Sequence, residues 1–451
     1  MKKNVLIRGA LCMAMGIFAV KLLGAVYRIP LVNLIGAEGL GLYQMIFPVY
    51  AVLLDFSGAS LPNALSKIIS SYPEAEREIK AEYVLNKSVK AMRKIGIFGS
   101  LIMIAASYPI SYLQGSTKAF FGYLTLSPSV FFVSVISCYR GYFQGKSIMK
   151  HTATSQVLES TTKLVLGLAF AYFLMPNLPL AVAGATLAVT LGEAVTLLYL
   201  YLRWRSRKTP TEIKGTDTDD FFSKILFKTA LPITLTGIAI PFSHFLDSFI
   251  IVNALPFTKE YSTALYGILS GVVNTVISLP VGLCYGIAVS SIPSVSALKT
   301  QAEKSEGMNK SIIYTGVSAL LLALLTFVFA PTAVNILFSA LSPAQKAISV
   351  RLLRLTSPCI LFLSLVQTTN ALLVATDKYY FPLLGLGCGI AVKTMLSLVL
   401  IPNSEINIYG GGIALIACYF VAVMVNFTVI LKKGAQNAVK TPNDRKNYAV
   451  Q

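Results

Sequence analysis

SIIYTGVSALLLALLTFVFAPTAVNI, residues 311–336, runs for 26 positions without a charged side chain. At about 1.5 Å of rise per residue, a helix of this length spans the roughly 30 Å hydrocarbon layer of a bilayer. Working outward from it, eleven more apolar runs of similar length can be read, at 8–32, 42–66, 92–113, 119–140, 153–175, 179–202, 226–252, 262–288, 350–374, 380–401 and 408–431. Prolines inside the runs (Pro48, Pro128, Pro232, Pro241, Pro280, Pro358) are compatible with membrane helices and often mark kinks. The composition agrees with this reading. The 451 residues are 55% hydrophobic and 13% charged, with a mean hydropathy of +0.69, against about 25% charged in a soluble chain. A soluble single-domain enzyme and a disordered chain are excluded. The expected fold class is an all-α integral membrane protein with about twelve transmembrane helices in two six-helix lobes.

The net charge is +19. In a soluble protein this would raise nucleic acid as a partner, but here the loops explain it. Of the 38 Lys and Arg residues, 29 fall at the N-terminus, in the C-terminal tail or in loops after even-numbered runs, and three (Lys118, Lys259, Lys346) fall in loops after odd-numbered runs. Cytoplasmic loops collect Lys and Arg, so both termini are expected in the cytoplasm, with no nucleic-acid partner. The first run follows Lys2 and Lys3 as a signal peptide would. It continues past Val26 with no small-residue cleavage pattern and reads as a retained first span. Six cysteines form no CxxC pair, and two histidines, His151 and His244, are too few for a His-rich metal site. The HExxH, GxxxxGK[ST] and GxSxG patterns are absent, so no enzymatic activity and no cofactor are expected.

Residues 204–225 are polar, basic at the start and acidic at Asp217, Asp219 and Asp220. They divide an N-terminal lobe (1–203) from a C-terminal lobe (226–432), followed by a cytoplasmic tail (433–451). Residues 73–94 read as a helix on the cytoplasmic surface or as a solvated linker, with Ser71 as cap and Pro73 in the first turn. Phe47-Pro48-Val49 and Leu279-Pro280-Val281 share an offset of 232 residues, a hint that the lobes are parallel repeats.

Charges inside spans are costly and by default face a cavity or a partner. Lys21 and Arg28 lie about 10 Å apart along span one, nearly on one face. Lys21 is near mid-depth and favours a wet cavity, whereas Arg28, nearer the outer end, can also snorkel. Glu159 and Lys163, at i,i+4 in span five, can pair with each other. Lys393 sits in the middle of span eleven, and Arg351 and Arg354 open span ten. The in-span acids are Asp55, Glu159, Glu193 and Asp247. His244 and Asp247 share a face and can serve as a proton-coupling pair or as a polar contact. Six in-span cations against four acids suit an anionic substrate bearing phosphate or pyrophosphate.

The stretch from Gly24 through Arg28 to Leu31, continuing at Gly36-Ala37-Glu38-Gly39-Leu40-Gly41-Leu42-Tyr43-Gln44, resembles the opening of the stage V sporulation protein B and polysaccharide-biosynthesis family. That family belongs to the superfamily of multidrug, oligosaccharidyl-lipid and polysaccharide exporters. A second block, Tyr139-Arg140-Gly141-Tyr142-Phe143-Gln144-Gly145 followed by Ser155-Gln156-Val157-Leu158-Glu159, resembles the family's junction of spans four and five. The resemblance implies a MATE-like, two-lobed flippase in a bacterial cell membrane. It implies alternating access and a polyprenyl-pyrophosphate-linked oligosaccharide or peptidoglycan precursor as substrate. The anionic head group is expected at Arg28, Lys21, Lys163, Arg140 and Lys393. Coupling or gating is expected at Asp247, Glu159 and Asp55, with Na⁺ or H⁺ as the coupling ion. Membrane lipids are the other expected partners. Lys163 stands where the resemblance leads one to expect arginine, and the twelve spans fall short of the fourteen common among relatives. The competing readings are a cation-coupled drug or metabolite antiporter of the same superfamily, a non-transporting scaffold of a cell-wall complex, and a membrane sugar transferase.

Overall fold

The computed structural model describes residues 2–59, 61–74, 76–206, 231–296, 300–376 and 380–438, and these form helices joined by short turns, with no strand among them. Helix α1 (Lys2–Leu54) carries span one and the start of span two. It is broken at Gly36, whose φ of 67° and ψ of −173° only glycine adopts without strain. The break reverses the chain. Tyr27 and Tyr43, sixteen residues apart, would lie about 24 Å apart along a straight helix, but their ring centroids are 6.2 Å apart. Residues 33–41, expected as a loop, are helical apart from Gly36, because Ile35, Ala37 and Leu40 are buried rather than solvated.

Pro48 supplies no N–H to the Gln44 carbonyl one turn before it. That carbonyl accepts instead from the Tyr266 hydroxyl at 3.3 Å. The next carbonyl, of Met45, accepts from the Tyr123 hydroxyl at 2.9 Å and from Gln114 Nε2 at 3.1 Å. A π-helical turn at Asp55–Ala59 ends this stretch, with Gly58 at φ 130°, and α2 (Leu61–Ser71) follows.

Helix α3 (Arg77–Leu113) is continuous for 37 residues. The expected surface helix and span three are therefore one element. Ser71 does not cap it, because its hydroxyl donates to the Ile68 carbonyl at 2.7 Å and closes α2. Arg77 turns back to the Tyr72 carbonyl through Nε and Nη2, at 3.2 and 3.0 Å. After a 3-10 turn at Thr117–Ala119 come α4 (Phe120–Gly145), α5 (Met149–Leu174) and α6 (Leu178–Arg205). Asn177 caps α6, and Arg203 and Arg205 occupy its last turn, where cations suit the helix dipole. Helices α2, α3, α4 and α6 share a core of Leu65, Leu85, Ile136, Phe143 and Trp204. Within it the carboxylate of Glu82 accepts from Trp204 Nε1 (3.0 Å) and from the Tyr142 hydroxyl (3.0 Å).

The later elements are α7 (Leu231–Ala254), α8 (Lys259–Gly267), a π-helical turn at Ile268–Val273, α9 (Asn274–Ser296), α10 (Gln301–Leu337), α11 (Pro343–Thr356), α12 (Pro358–Ala375), α13 (Phe381–Leu400) and α14 (Ile408–Ala438). Expected span ten, 350–374, is two helices, because Pro358 withholds an N–H from the turn before it. Among the described residues, eleven segments are long and apolar enough to cross a membrane. The first of them, Leu22–Ser71, is 50 residues long and takes in the end of the first expected span and the whole of the second, so the count agrees with twelve.

Two compact units emerge. The first holds residues 1–253, 257–271 and 338–341, and the second holds 254–256, 272–337 and 342–451. Each unit gathers stretches that are not contiguous in the chain. Most of the expected 204–225 linker, and residues 439–451 of the tail, lie outside the described residues. In the first unit, α1 crosses α8 at glycines: a Cβ on Gly267 would meet Gly41 N at 2.6 Å and the Ala37 carbonyl closer still. Small residues let membrane helices approach this closely. In the second unit, polar side chains tie helices together. Asn426 Nδ2 donates to Thr369 Oγ1 (2.9 Å) and Asn370 Oδ1 (2.8 Å), and Thr315 and Thr368 share a hydrogen bond of 3.0 Å.

Candidate functional site

The site grows from the fold-back at Gly36. Tyr27 on one arm of α1 meets Tyr43 on the other, and Tyr43 in turn packs on Phe47. Tyr43 and Phe47 are one turn apart, with ring centroids at 4.5 Å. Gly167 of α5 makes room for the Tyr27 ring, since a Cβ there would lie 2.8 Å from the hydroxyl oxygen. Into this aromatic group α5 sends Lys163, whose Nζ lies 4.8 Å from the Phe47 centroid, 5.3 Å from Tyr27 and 5.9 Å from Tyr43. The negative faces of three rings thus surround one ammonium.

The expected Glu159–Lys163 pair does not form. Glu159 Oε2 accepts from Arg140 Nη2 of α4 at 2.8 Å, and Arg140 Nε donates to Ser155 Oγ at 3.0 Å. A guanidinium can satisfy the carboxylate and the hydroxyl together, which leaves the lysine to the rings. Gly192 of α6 lets α5 pack closely here, as a Cβ would meet the Glu159 carbonyl at 3.1 Å.

Arg28 is half-buried and lies within electrostatic reach of Lys163 and of the Tyr43 hydroxyl. Among the described residues none hydrogen-bonds or ion-pairs with its guanidinium. Among the described residues, the Tyr27 and Tyr43 hydroxyls are buried and, apart from each other, have no hydrogen-bond partner, and Gln156 Oε1 is buried without one. Two neighbouring cations and two hydroxyls are therefore available to a ligand, and Gln156 lies two turns from Lys163 along α5, about 10 Å of rise. Glu193, within electrostatic reach of Lys163 and 2% exposed, is held by the Tyr50 hydroxyl at 2.5 Å and by the Ser129 hydroxyl. Tyr50 and Ser129 also share a hydrogen bond of 2.7 Å.

Asp55, His244 and Asp247 make other contacts. The carboxyl of Asp55 lies against Gly237 of α7, where a Cβ would meet it at 3.2 Å. His244 Nδ1 is 3.6 Å from Asp247 Oδ2, as their i,i+3 spacing allows. Lys393 is buried in α13 of the second unit, at 2% exposure. The side chain of Lys21 lies outside the described residues. Sequence reasoning missed Tyr27, Tyr43, Phe47 and Tyr50. The signal was present in the aromatic spacing of 43, 47 and 50 on one helix, but Tyr27 joins them only because of the reversal at Gly36.

A model of the family described as polysaccharide biosynthesis protein matches residues 6–299. Stage V sporulation protein B of Bacillus subtilis is 24% identical over 452 residues, covering 96% of this chain and 85% of the relative. Lipid II flippase MurJ of the same organism is also 24% identical, covering 96% of this chain and 84% of its own. Among solved structures, a multidrug resistance MATE family transporter of the MOP superfamily, in an inward-facing conformation, is 17% identical. It aligns with a TM-score of 0.77 over 93% of this chain and 96% of its own. A MOP superfamily transporter from Pyrococcus furiosus aligns with a TM-score of 0.67 at 18% identity, over 96% and 95% of the two chains. The chain shares the MATE fold.

Proposed function

This chain belongs to the polysaccharide biosynthesis protein family, and from that premise we propose that it is a membrane flippase. Its substrate is a polyprenyl-pyrophosphate-linked peptidoglycan precursor or related oligosaccharide. The observation that carries this reading is the pairing of an Arg28 without an ion-pair partner among the described residues with a Lys163 set among three aromatic rings. A pyrophosphate would take the Arg28 fork as a bidentate acceptor and Lys163 as a point charge. The hydroxyls of Tyr27 and Tyr43 would donate to the remaining oxygens, and the amide oxygen of Gln156 would accept from a sugar hydroxyl. The polyprenyl tail would stay in lipid while the head group crosses by alternating access. The loop charge puts both termini on the cytoplasmic side of a bacterial cell membrane, the side on which such a precursor is made. Na⁺ or H⁺ would couple at Asp55 or at the His244–Asp247 pair.

The test is a head-group protection assay in proteoliposomes loaded with lipid II. Arg28→Ala is expected to lower flipping to the protein-free rate while the melting temperature stays unchanged. Wild-type flipping by that variant would remove Arg28 from the site. Efflux of a cationic dye that Asp247→Asn abolishes, with no flipping of lipid II by the wild type, would replace the flippase reading with an antiporter.

A further inference from the structure

Loops after odd-numbered spans hold few cations, and two of the three are satisfied by the fold. Lys118 pairs with Glu38 at 2.8 Å and with Glu260 at 3.7 Å. Lys259 Nζ donates to Asn253 Oδ1 at 2.8 Å and to the Val252 carbonyl at 3.2 Å. The third, Lys346, is different. It shares one helix, α11, with Arg351 and Arg354, and with Asn335 of α10 the three cations line an open cavity of about 470 Å³. Among the described residues, no acidic side chain lines this cavity. Among the described residues none ion-pairs with any of the three.

The arrangement is fixed rather than incidental. A capping box starts α11: Gln345 N donates to Ser342 Oγ at 3.3 Å, and Ser342 N donates to Gln345 Oε1 at 3.2 Å. Ser349, Leu352, Leu353 and Thr356 bury the opposite face of the helix. The Arg354 guanidinium lies 5.6 Å from the Phe327 centroid on α10, which holds it in place. Three like charges gathered on a preorganised face repel one another, and a bound anion relieves that repulsion.

We propose that this cavity in the second unit binds a phosphate-bearing anion. The guanidinium groups of Arg351 and Arg354 form the fork, and Lys346 adds a point charge. The cavity has the size of a small-ligand site. The same chemistry is offered by the head group of an anionic phospholipid and by free phosphate or pyrophosphate.

Two binding experiments on the purified full-length chain separate these sources. Native mass spectrometry compares retention of phosphatidic acid with that of diacylglycerol, which lacks the phosphate, and calorimetry titrates inorganic pyrophosphate. The Arg351→Gln/Arg354→Gln variant is expected to lose about tenfold or more in affinity. Loss confined to phosphatidic acid identifies a lipid head group, and loss confined to pyrophosphate identifies the free anion. The Arg351→Lys/Arg354→Lys variant keeps both charges, so it guards against a folding defect in the glutamine variant. It is expected to bind more weakly than wild type and more tightly than the glutamine form. Equal binding by wild type and either folded variant, in both experiments, overturns the proposal.

Discussion

Lys163 stands where family resemblance leads one to expect arginine, and its surroundings account for the exchange. A guanidinium there would be placed to compete with Arg140 for Glu159, whereas an ammonium fits as a compact charge among Tyr27, Tyr43 and Phe47. The rings hold the cation without neutralising it, so it stays available to an anion. Lys163→Met keeps the stem and removes the charge. It is expected to lower lipid II affinity about tenfold, with little change in melting temperature, as read by flipping rates across substrate concentration. Glu159→Gln acts differently. Arg140 is 16% exposed and would lose its carboxylate, at a cost of about 1–3 kcal/mol in stability. Thermal unfolding of the variant should therefore move more than its substrate affinity. The identity of the charged residues was legible in the sequence. Their pairing was not, because an i,i+4 rule sees one helix, and Arg140 reaches Glu159 from another.

At the scale of elements, α1 shows what local sequence can and cannot announce. Its apolar runs set the two spans, and Pro48 marks a backbone irregularity. The Gly36 reversal shows no such signature, since glycines at 36, 39 and 41 are equally permissive in sequence and only Gly36 takes a positive φ in α1. Gly41 serves close approach instead, as its Cβ would collide with the Thr263 carbonyl. Gly41→Leu is expected to destabilise the first unit by about 1–3 kcal/mol through overpacking, measured as a loss of melting temperature in detergent. Pro48 offers a sharper test. The Gln44 carbonyl it leaves free accepts from Tyr266, so Pro48→Ala restores a backbone donor and makes that hydroxyl redundant. Tyr266→Phe should cost about 0.5–1 kcal/mol more in the wild-type background than in the Pro48→Ala background. Equal costs would mean that the hydroxyl contributes nothing to the kink. The proposed repeat gains no support at this scale. Shifted by 232 residues, the π-helical turn at Asp55–Ala59 falls on residues 287–291, which are regular helix in α9.

For the whole molecule, fold class and span number were legible because each span needs only length and apolar composition to declare itself. The compact units were not, because packing gathers α7 and α8 with the first six helices through contacts such as Gly41 against Thr263 and Gly267, and no run of sequence encodes that pairing. Orientation is a different kind of property. It rests on summed loop charge rather than on any contact, with 29 cations on one set of loops and three on the other. The proposed direction of transport follows from it, since a precursor made in the cytoplasm must first meet Arg28 from that side. Single cysteines placed in a cysteine-free background read it directly. Ser206, exposed at the end of α6, belongs to the cation-rich loops, and Ser339, exposed between α10 and α11, to the cation-poor ones. A membrane-impermeant maleimide added to intact cells is expected to label Ser339→Cys at once and Ser206→Cys only after the membrane is permeabilised. The reverse pattern would turn the molecule over. The basic cavity on α11 would then face the cytoplasm and its soluble phosphates, and the flippase would have to collect its substrate from the opposite leaflet.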